Sequence, residues 1–524
     1  MRFVNRRWAQ KPLGIAGCLL ATMTLLAVAC APQQPVAKAP PQANKAKPEI
    51  QWAPCTDSDV AQCAQVPLPL DHADPAGGTL QVSVRRILSP NTAQKDPRQL
   101  WYLAGGPGAS GTSILDLLHG ALGSTLPNVD WYALDHRGTG GTARLSCPDQ
   151  EKPGSPGGLA ITPGEFEACL KTLAQHGALE ALTTTASSQD LGSLIEALRG
   201  DAKVVIWGNS YGTYWAQRYL QLYPSQPDAV LLEALVPAQT SYQWFDHWMN
   251  ETGLALMDLC AAQEACSQRF AQPPREVAKA LPGRLASGHC SELKLPVKLS
   301  WVLGSLLYDH DLRELIPAIV HRLDRCNADD VQAITRLVSI LFKDNGMLFA
   351  GDFSTPLYTH VVFSEIWDYP TAPTPKNLHE VAQDCLFCPA DRSEMAQARK
   401  QWPAYPPDTH DNQFPAYKGP LLMLQGKLDP AVSPHDVAQM KKALSAKGQH
   451  FVHFPTGGHS LVGKTPLPQG GDCALNLLKG LLASPTKEPD TACVQNVEQP
   501  RLDGTSKLAA PLLGEGGAWG SNAP

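Results

Sequence analysis

The first half of the folded region alternates between strand-like and helix-like patterns. Residues 79–87 alternate apolar and polar positions as a half-buried strand does, whereas residues 202–210 form the apolar run of a buried strand. Residues 211–224 follow directly with apolar positions at helical spacing. Further strands are predicted at 99–106, 130–138 and 229–237, and a further helix at 188–199. Strands that alternate with helices predict an α/β fold, a mostly parallel sheet with helices on both faces.

The pattern becomes mostly helical after residue 238. Apolar positions three and four apart recur at 242–263, 297–324 and 328–343. Strand patterns return at 420–426 and 450–455, and a last helix is predicted at 473–485. We therefore predict a sheet with a large helical cap inserted before its last strands. The predicted parts are the N-terminal core at 51–237, the cap at 238–415, the C-terminal core at 416–500 and a flexible tail at 501–524.

The N-terminus has the three parts of an export signal. A basic start precedes a short apolar run at 13–29, and Cys30 follows it. Small residues before Cys30 resemble a bacterial lipoprotein signal, in which the cysteine becomes the lipidated first residue. A plain secretory signal and an uncleaved anchor are the alternatives. We expect a signal peptide at 1–30, a Pro/Ala-rich tether at 31–50, and a membrane-anchored lipoprotein that faces the periplasm or the cell exterior.

Composition and charge narrow the class of protein. The 524 residues are 43% hydrophobic and 18% charged, which is the balance of a globular chain. The formal net charge is −6 and there is no basic tract, so nucleic acid is not an expected partner. We find no metal-ligand constellation and no nucleotide fingerprint, and we predict no metal and no cofactor.

The cysteines predict disulfides. Twelve of the 14 cysteines lie after the signal, an even number that suits an exported protein. Three local pairs are candidates, namely Cys55 with Cys63, Cys260 with Cys266 and Cys473 with Cys493. Cys385 and Cys388 form a C-x-x-C pair, for which a structural disulfide is favoured over zinc or redox chemistry because neither context is present. The full pairing cannot be deduced from the sequence.

The segment Gly208-Asn209-Ser210-Tyr211-Gly212 has the form G-x-S-x-G. In that motif a tight strand-to-helix turn raises a serine hydroxyl above the sheet, and the glycines prevent clashes in the turn. Here a buried strand precedes the motif and a helix follows it, as the turn requires. Ser210 is therefore the predicted nucleophile, and the alternative role is that of a helix N-cap.

A serine nucleophile needs a base, and the base needs an orienting acid. Asp429 follows the strand at 420–426, and His459 lies in a glycine-rich loop just after the strand at 450–455. The chain order Ser, Asp, His is that of α/β hydrolases. We predict His459 as the base and Asp429 as the acid, with Asp436 as the nearest competitor.

Acyl transfer also needs two donors for the oxyanion. The N–H of Tyr211 follows the nucleophile at the start of a helix. The second donor is expected from Gly105-Gly106-Pro107-Gly108, where proline has no N–H, so Gly106 is favoured and Gly105 is second. Asp135, which follows another strand, is expected to pair with Arg137 and to brace the loops.

Together these motifs resemble the prolyl iminopeptidase and tripeptidyl aminopeptidase group of α/β hydrolases, peptidase family S33. The matching segments are 66–75, 104–111, 135–140, 208–212, 426–430 and 457–460. Residues 473–493 are similar to the C-terminal region of the tripeptidyl aminopeptidase type. The resemblance implies an α/β-hydrolase fold and a serine peptidase that cleaves after one or a few N-terminal residues.

Peptide substrates with free N-termini would then need a carboxylate partner for the ammonium group. The resemblance implies that such acids come from the cap, where Glu365 is the first candidate and Asp368 the second; Glu233 could instead support the site from beneath. Two other functions use the same sequence features. An esterase or lipase would share the triad, and a catalytically dead surface binding protein would share the fold.

Overall fold

Within the part of the chain that the structure describes, nine strands form one sheet. This computed structural model describes residues 48–91, 96–152, 154–157, 161–175, 179–342, 353–369, 375–388 and 392–520. The strands are β1 (Ala53–Pro54), β2 (Gln62–Pro69), β3 (Thr79–Ile87), β4 (Arg98–Leu103), β5 (Asp130–Leu134), β6 (Lys203–Asn209), β7 (Ala229–Glu233), β8 (Leu421–Gly426) and β9 (Gln449–Phe454).

The strand order across the sheet is β1-β2-β3-β5-β4-β6-β7-β8-β9. The first three strands and the β3–β5 pair are antiparallel, and every pair from β5 to β9 is parallel. The mostly parallel sheet predicted from the sequence is therefore confirmed. The registers pair Asn209 with Glu233 and Gly426 with Phe454. The carboxyl ends of these parallel strands thus lie at one edge of the sheet, which is where ligands bind in α/β folds.

Sixteen α-helices are formed by the described residues, besides short 3₁₀ and π segments: α1 (Gly111–Leu122), α2 (Phe166–Leu173), α3 (Thr184–Leu198), α4 (Tyr211–Leu222), α5 (Phe245–Ala262), α6 (Glu264–Ser267), α7 (Pro274–Ala286), α8 (Leu299–Leu306), α9 (Ile316–Arg325), α10 (Ala328–Leu341), α11 (Thr355–Val361), α12 (Pro375–Gln383), α13 (Arg392–Ala398), α14 (Pro434–Ala443), α15 (Cys473–Ala483) and α16 (Ala509–Leu513). Local sequence explains several of their starts. The side chain of Thr183 caps α3, and that of Asp472 caps α15, by accepting a hydrogen bond from a first-turn N–H.

Helices cover both faces of the sheet. Successive residues of β6 point to opposite sides, so Ile206 packs in the hydrophobic cluster with α3 and α4, whereas Trp207 packs in the cluster with α1 and α15. Helices α5–α13 lie between β7 and β8 in the chain, which confirms the predicted helical insertion before the last strands. The insertion contributes most of a third hydrophobic cluster, built mainly from α5, α7, α8, α9 and α10.

The structure corrects the prediction of a flexible tail at 501–524 for residues 501–520. Leu512 and Trp519 are buried in the cluster of the helical insertion. Arg322 Nε donates to the carbonyl oxygen of Ala518 at 2.7 Å, and an Arg325 nitrogen donates to that of Trp519 at 3.0 Å. Residues 501–520 pack against the body because their few apolar side chains are buried together. The Gly-rich composition of this segment gave no indication of that packing.

Six disulfides join the twelve cysteines that follow the predicted signal. The three local pairs expected from spacing are present, as is Cys385–Cys388. Two further bonds, Cys147–Cys169 and Cys290–Cys326, join cysteines 22 and 36 residues apart and were not predicted. The predicted signal peptide with Cys30, and residues 31–47 of the tether, lie outside the described residues. No helix within the described ranges is long and apolar enough to cross a bilayer.

Candidate active site

Ser210 lies in a tight turn between β6 and α4. Its backbone has φ 56° and ψ −127°, a strained conformation for a residue with a side chain. Glycines on both sides of Ser210 allow the backbone to pack closely around this turn. A Cβ atom on Gly212 would lie 2.0 Å from the carbonyl oxygen of Leu103, and one on Gly208 would lie 2.6 Å from that of Gly212. The Ser210 N–H donates to the carbonyl oxygen of Glu233 at 3.0 Å, which fixes the turn to β7.

The loops after β8 and β9 bring Asp429 and His459 together. His459 Nδ1 donates to Asp429 Oδ1 at 2.8 Å, across 30 residues of chain. Two further donors hold the carboxylate: the Ala431 N–H at 2.9 Å and the Gln425 side-chain amide at 3.1 Å. This hydrogen bond fixes the tautomer of the imidazole, because Nδ1 must carry the proton. The second nitrogen, Nε2, is not bound to the carboxylate. This is the arrangement that a general base requires.

Burial and two neighbouring carboxylates act on the pKa of His459 in opposite directions. Burial, the largest single effect, disfavours the imidazolium, but the charge and hydrogen bond of Asp429 together with the charge of Glu233 raise the pKa of His459 above its ordinary value of 6.5. The Tyr308 ring lies edge-on to the imidazole, with ring centroids 5.1 Å apart. Arg313 lies beside the loop that carries His459 and donates to the carbonyl oxygen of Thr456 at 2.8 Å.

The glycine loop after β4 lies directly against Ser210. A Cβ atom on Gly105 would come within 2.7 Å of the Ser210 Cβ and 3.2 Å of its Oγ, so only glycine permits this approach. Gly106 follows with φ +112°. Tyr211 is the first residue of α4, where backbone N–H groups have no acceptor within the helix. The two predicted oxyanion donors, Gly106 and Tyr211, therefore line the same cavity as Ser210.

A cavity of about 670 Å³ contains Ser210 and His459 in its lining. This volume is in the range of sites for small organic ligands. Ten of the described lining residues are aromatic, namely Tyr102, Phe166, Tyr211, Tyr242, Phe245, Trp248, Trp301, Tyr308, Phe353 and Tyr358. The acidic and basic groups among the described lining residues are Lys298, Arg392, Glu394 and His459, so Glu394 is the one carboxylate on this part of the wall.

The structure does not place Glu365 in the cavity wall. Its carboxylate is buried and already has partners. One oxygen accepts from the Thr184 N–H at 3.0 Å and from the Tyr405 hydroxyl at 2.5 Å, and the other lies 3.6 Å from an Arg218 nitrogen. Asp368 is also absent from the wall, and it pairs with Arg399 at 2.9 Å. Both carboxylates satisfy cations of the protein itself, so neither fits the predicted role of holding a substrate amine.

The expected pair of Asp135 and Arg137 is not formed. Asp135 accepts from the Ser110 hydroxyl at 2.7 Å and the Gly141 N–H at 2.8 Å, and so braces two loops by another route. Arg137 instead pairs with Asp190 at 2.7 Å. Because β5 ends at Leu134, residues 135 and 137 are no longer in a strand, and a spacing of two does not keep them on one face.

Two residues near the site had little signal in the sequence. Gln425 is a polar residue at the end of an otherwise apolar strand, and it holds Asp429. Glu394 lies on the short helix α13, where nothing in the pattern distinguishes it from a surface charge. Among the described residues, no group of three or more His, Cys, Asp or Glu side chains could hold a metal ion.

Several known proteins are similar to parts of this chain. The family model of TAP-like proteins matches residues 387–493. A tripeptidyl aminopeptidase of Streptomyces coelicolor is 28% identical over 224 residues, which cover 39% of this chain and 41% of that protein. Carboxylesterase B of Mycobacterium tuberculosis is 32% identical over 156 residues, which cover 27% of this chain and 29% of that protein. The chain thus spans less than half the length of these curated relatives.

Among solved structures, an esterase from Thermogutta terrifontis aligns with 75% of this chain and 91% of its own. The sequence identity is 13% and the TM-score is 0.29.

Proposed function

We propose that this chain is a serine aminopeptidase that releases one or a few residues from peptide N-termini, a proposal supported by its mostly parallel sheet and by its C-terminal match to the TAP-like family model. The observation that carries the proposal is the 2.8 Å hydrogen bond from His459 to Asp429, at a cavity that Ser210 also lines. A buried acid, an oriented imidazole and a serine in a strained turn are the parts of an acyl-transfer site.

The proposed reaction has two halves. The Ser210 hydroxyl attacks the scissile carbonyl while His459 takes its proton, and the Gly106 and Tyr211 N–H groups donate to the oxyanion. His459 then gives the proton to the leaving amine, and the C–N bond breaks to leave an acyl-enzyme. Water attacks the ester with His459 as base, which releases the N-terminal fragment and restores the serine.

Glu394 is our proposed partner for the substrate ammonium. An ammonium group loses its hydration in a largely apolar cavity, so it needs an opposite charge there. Glu394, an exposed residue at the rim of the wall, is the carboxylate that the described lining offers, whereas Glu365 and Asp368 are paired with arginines. This assignment places amine recognition on α13 instead of on residues 365 and 368, which follow α11.

Replacing Glu394 by glutamine should raise KM for free-amine peptide anilides by roughly threefold to tenfold, because a charged contact at an exposed residue is lost. The rate with N-acetylated anilides should stay within about twofold of the parent. Steady-state kinetics on both substrate series measure this. Glu167→Gln, on the exposed face of α2, is the matched control. An equal loss on free and blocked peptides would contradict amine recognition by Glu394.

An esterase is the second candidate, since one matched relative is a carboxylesterase. The triad serves both reactions, and the cavity distinguishes them. Free-amine peptide anilides, their acetylated forms and simple nitrophenyl esters should be compared on one preparation. The aminopeptidase proposal requires free-amine peptides to be the best substrates, and turnover of simple esters alone would establish the esterase instead.

The pH profile should show an acid limb that belongs to His459. The imidazole must be neutral to act as base, and Asp429 raises its pKa above 6.5. Activity should therefore fall as pH drops through a midpoint higher than that of an unperturbed histidine. A kcat/KM profile over roughly pH 5 to 9 measures the midpoint. Full activity at the acid end would contradict a catalytic histidine with this environment.

We further propose that the protein works outside the cytoplasm. The six disulfides support an oxidising compartment. Lipidation at Cys30, and the membrane anchor that it would supply, stay predictions.

A further inference from the structure

Glu233, the last residue of β7, is a buried carboxylate below the histidine loop, here Thr456–Val462. Its exposed fraction is 2%. One oxygen accepts from the N–H groups of Leu461 at 2.8 Å and Val462 at 3.0 Å. The other accepts from the Trp207 indole N–H at 3.0 Å. The carboxylate therefore holds the chain two and three residues after His459.

The backbone of the same residue holds the nucleophile. The Glu233 carbonyl oxygen accepts from the Ser210 N–H at 3.0 Å, and the β6–β7 register pairs Glu233 with Asn209. One residue thus contacts both the turn that carries Ser210 and the loop that carries His459. Those two residues are 249 positions apart in the chain, so no local contact could set their distance.

A purely structural role does not explain the charge. The other residues of β7 are Ala229, Val230, Leu231 and Leu232, and all are buried and apolar. A carboxylate here loses its hydration, and its cost is offset only by the N–H groups that converge on it. The loop N–H groups could have been satisfied by a neutral acceptor such as a glutamine carbonyl. Burial raises the pKa of Glu233, and the hydrogen bonds from Val462, Leu461, Trp207 and Asn209 act against burial by favouring the charged carboxylate.

We propose that Glu233 is a positioning residue, which sets the distance of His459 from Ser210 and supports the imidazolium that forms during acyl transfer. The inference rests on the proposed function. The charge of Glu233 acts with that of Asp429 to raise the pKa of His459. Other ionisable groups of the described residues near Glu233 and this loop include the Tyr102 phenol, which interacts with the Glu233 charge, the Tyr308 phenol, which lies against the imidazole, and Arg313, which lies against Gly458.

Two substitutions separate the position of the loop from its charge. Glu233→Gln keeps the length of the side chain and removes the charge. We expect kcat to fall about tenfold to a hundredfold, KM to change less than about twofold, and the acid limb to move to lower pH. Glu233→Asp keeps the charge and shortens the reach, so kcat should fall while the acid limb stays closer to that of the parent. Glu167→Gln on α2 is the control and should match the parent.

Reaction of Ser210 with a fluorophosphonate distinguishes failure of the proposed function from failure of the positioning role of Glu233. If the parent protein does not react, the proposed function fails before Glu233 is tested. If the parent reacts, and Glu233→Gln reacts at the parent rate with an unshifted acid limb, the positioning role is wrong. Thermal melting of each variant shows whether a slow rate reflects a folded protein.

A measurement on the parent protein covers the case in which both variants fail to fold. Hydrogen exchange, resolved to the amides of residues 461 and 462, should show strong protection, because both N–H groups bind a buried carboxylate. Exchange of these amides at the rate of an open loop would overturn the inference, since the carboxylate would then hold nothing in solution.

Discussion

Replacing Ser210 by alanine should reduce peptidase turnover by about 10⁴-fold or more, to the residual rate that the oxyanion donors and binding alone supply. The hydroxyl forms the covalent bond of the acyl-enzyme, and no other group in the strained turn can replace it. Initial rates with a free-amine tripeptide anilide measure the loss. Fold should be unchanged, because alanine fits wherever the serine side chain does.

A distant serine provides the control for this experiment. Ser193 lies on α3, where its hydroxyl donates to a carbonyl oxygen of its own helix. Ser193→Ala should therefore retain the parent rate. A Ser210→Ala protein that keeps its full peptidase rate would show that Ser210 is not the nucleophile and would contradict the proposed mechanism.

Replacing Asp429 by asparagine should lower kcat by about 10³- to 10⁴-fold without disturbing the fold. The amide is isosteric with the carboxylate but cannot stabilise the imidazolium. The Ala431 N–H and the Gln425 amide already donate to this side chain, so an asparagine NH₂ group has its best acceptor in His459 Nδ1. The imidazole would then carry its proton on the nitrogen that must accept one from Ser210.

The pH dependence separates this mechanism from simple destabilisation. Asp429→Asn should move the acid limb to lower pH, because the carboxylate that raises the pKa of His459 is gone. Asp149→Asn, on an exposed pair with Lys152, is the matched control. An Asp429→Asn protein with parental kcat would show that another acid orients the base.

The positions of the three predicted triad residues at strand ends could be predicted because their signals are local in the sequence. Ser210, Asp429 and His459 each follow a buried apolar strand, and parallel strands bring their carboxyl ends to one edge. The structure places the last two in a hydrogen bond and all of Ser210, Gly106 and Tyr211 at one cavity. The comparisons with TAP-like proteins confirm the resemblance that these motifs indicated.

Partners far apart in the chain could not be predicted in the same way. Glu365 had the right charge and the right region for a substrate amine, but its cation is Arg218, 147 residues earlier. Asp135 and Arg137 had opposite charges and close spacing, yet Arg137 pairs with Asp190. Charge and proximity in sequence do not determine which buried ions meet, because that depends on the packing of whole elements.

Covalent pairing shows the same limit. Bonds that close short segments, such as Cys260–Cys266, were predicted from spacing. Cys147–Cys169 and Cys290–Cys326 were not predicted. Segment length alone does not explain this, because the predicted Cys473–Cys493 spans 20 residues and Cys147–Cys169 spans 22. The docking of residues 501–520 was missed, since its acceptors for Arg322 and Arg325 are backbone carbonyls that carry no sequence signal.

The central claim is that Ser210 is an activated nucleophile in a site for peptides with a free amine. The most direct test is to react the parent protein with a fluorophosphonate, digest it, and locate the adduct by mass spectrometry. The adduct should lie on Ser210, and a free-amine tripeptide anilide should slow its formation far more than the acetylated form does. No adduct, an adduct on another residue, or equal protection by both peptides would contradict the account.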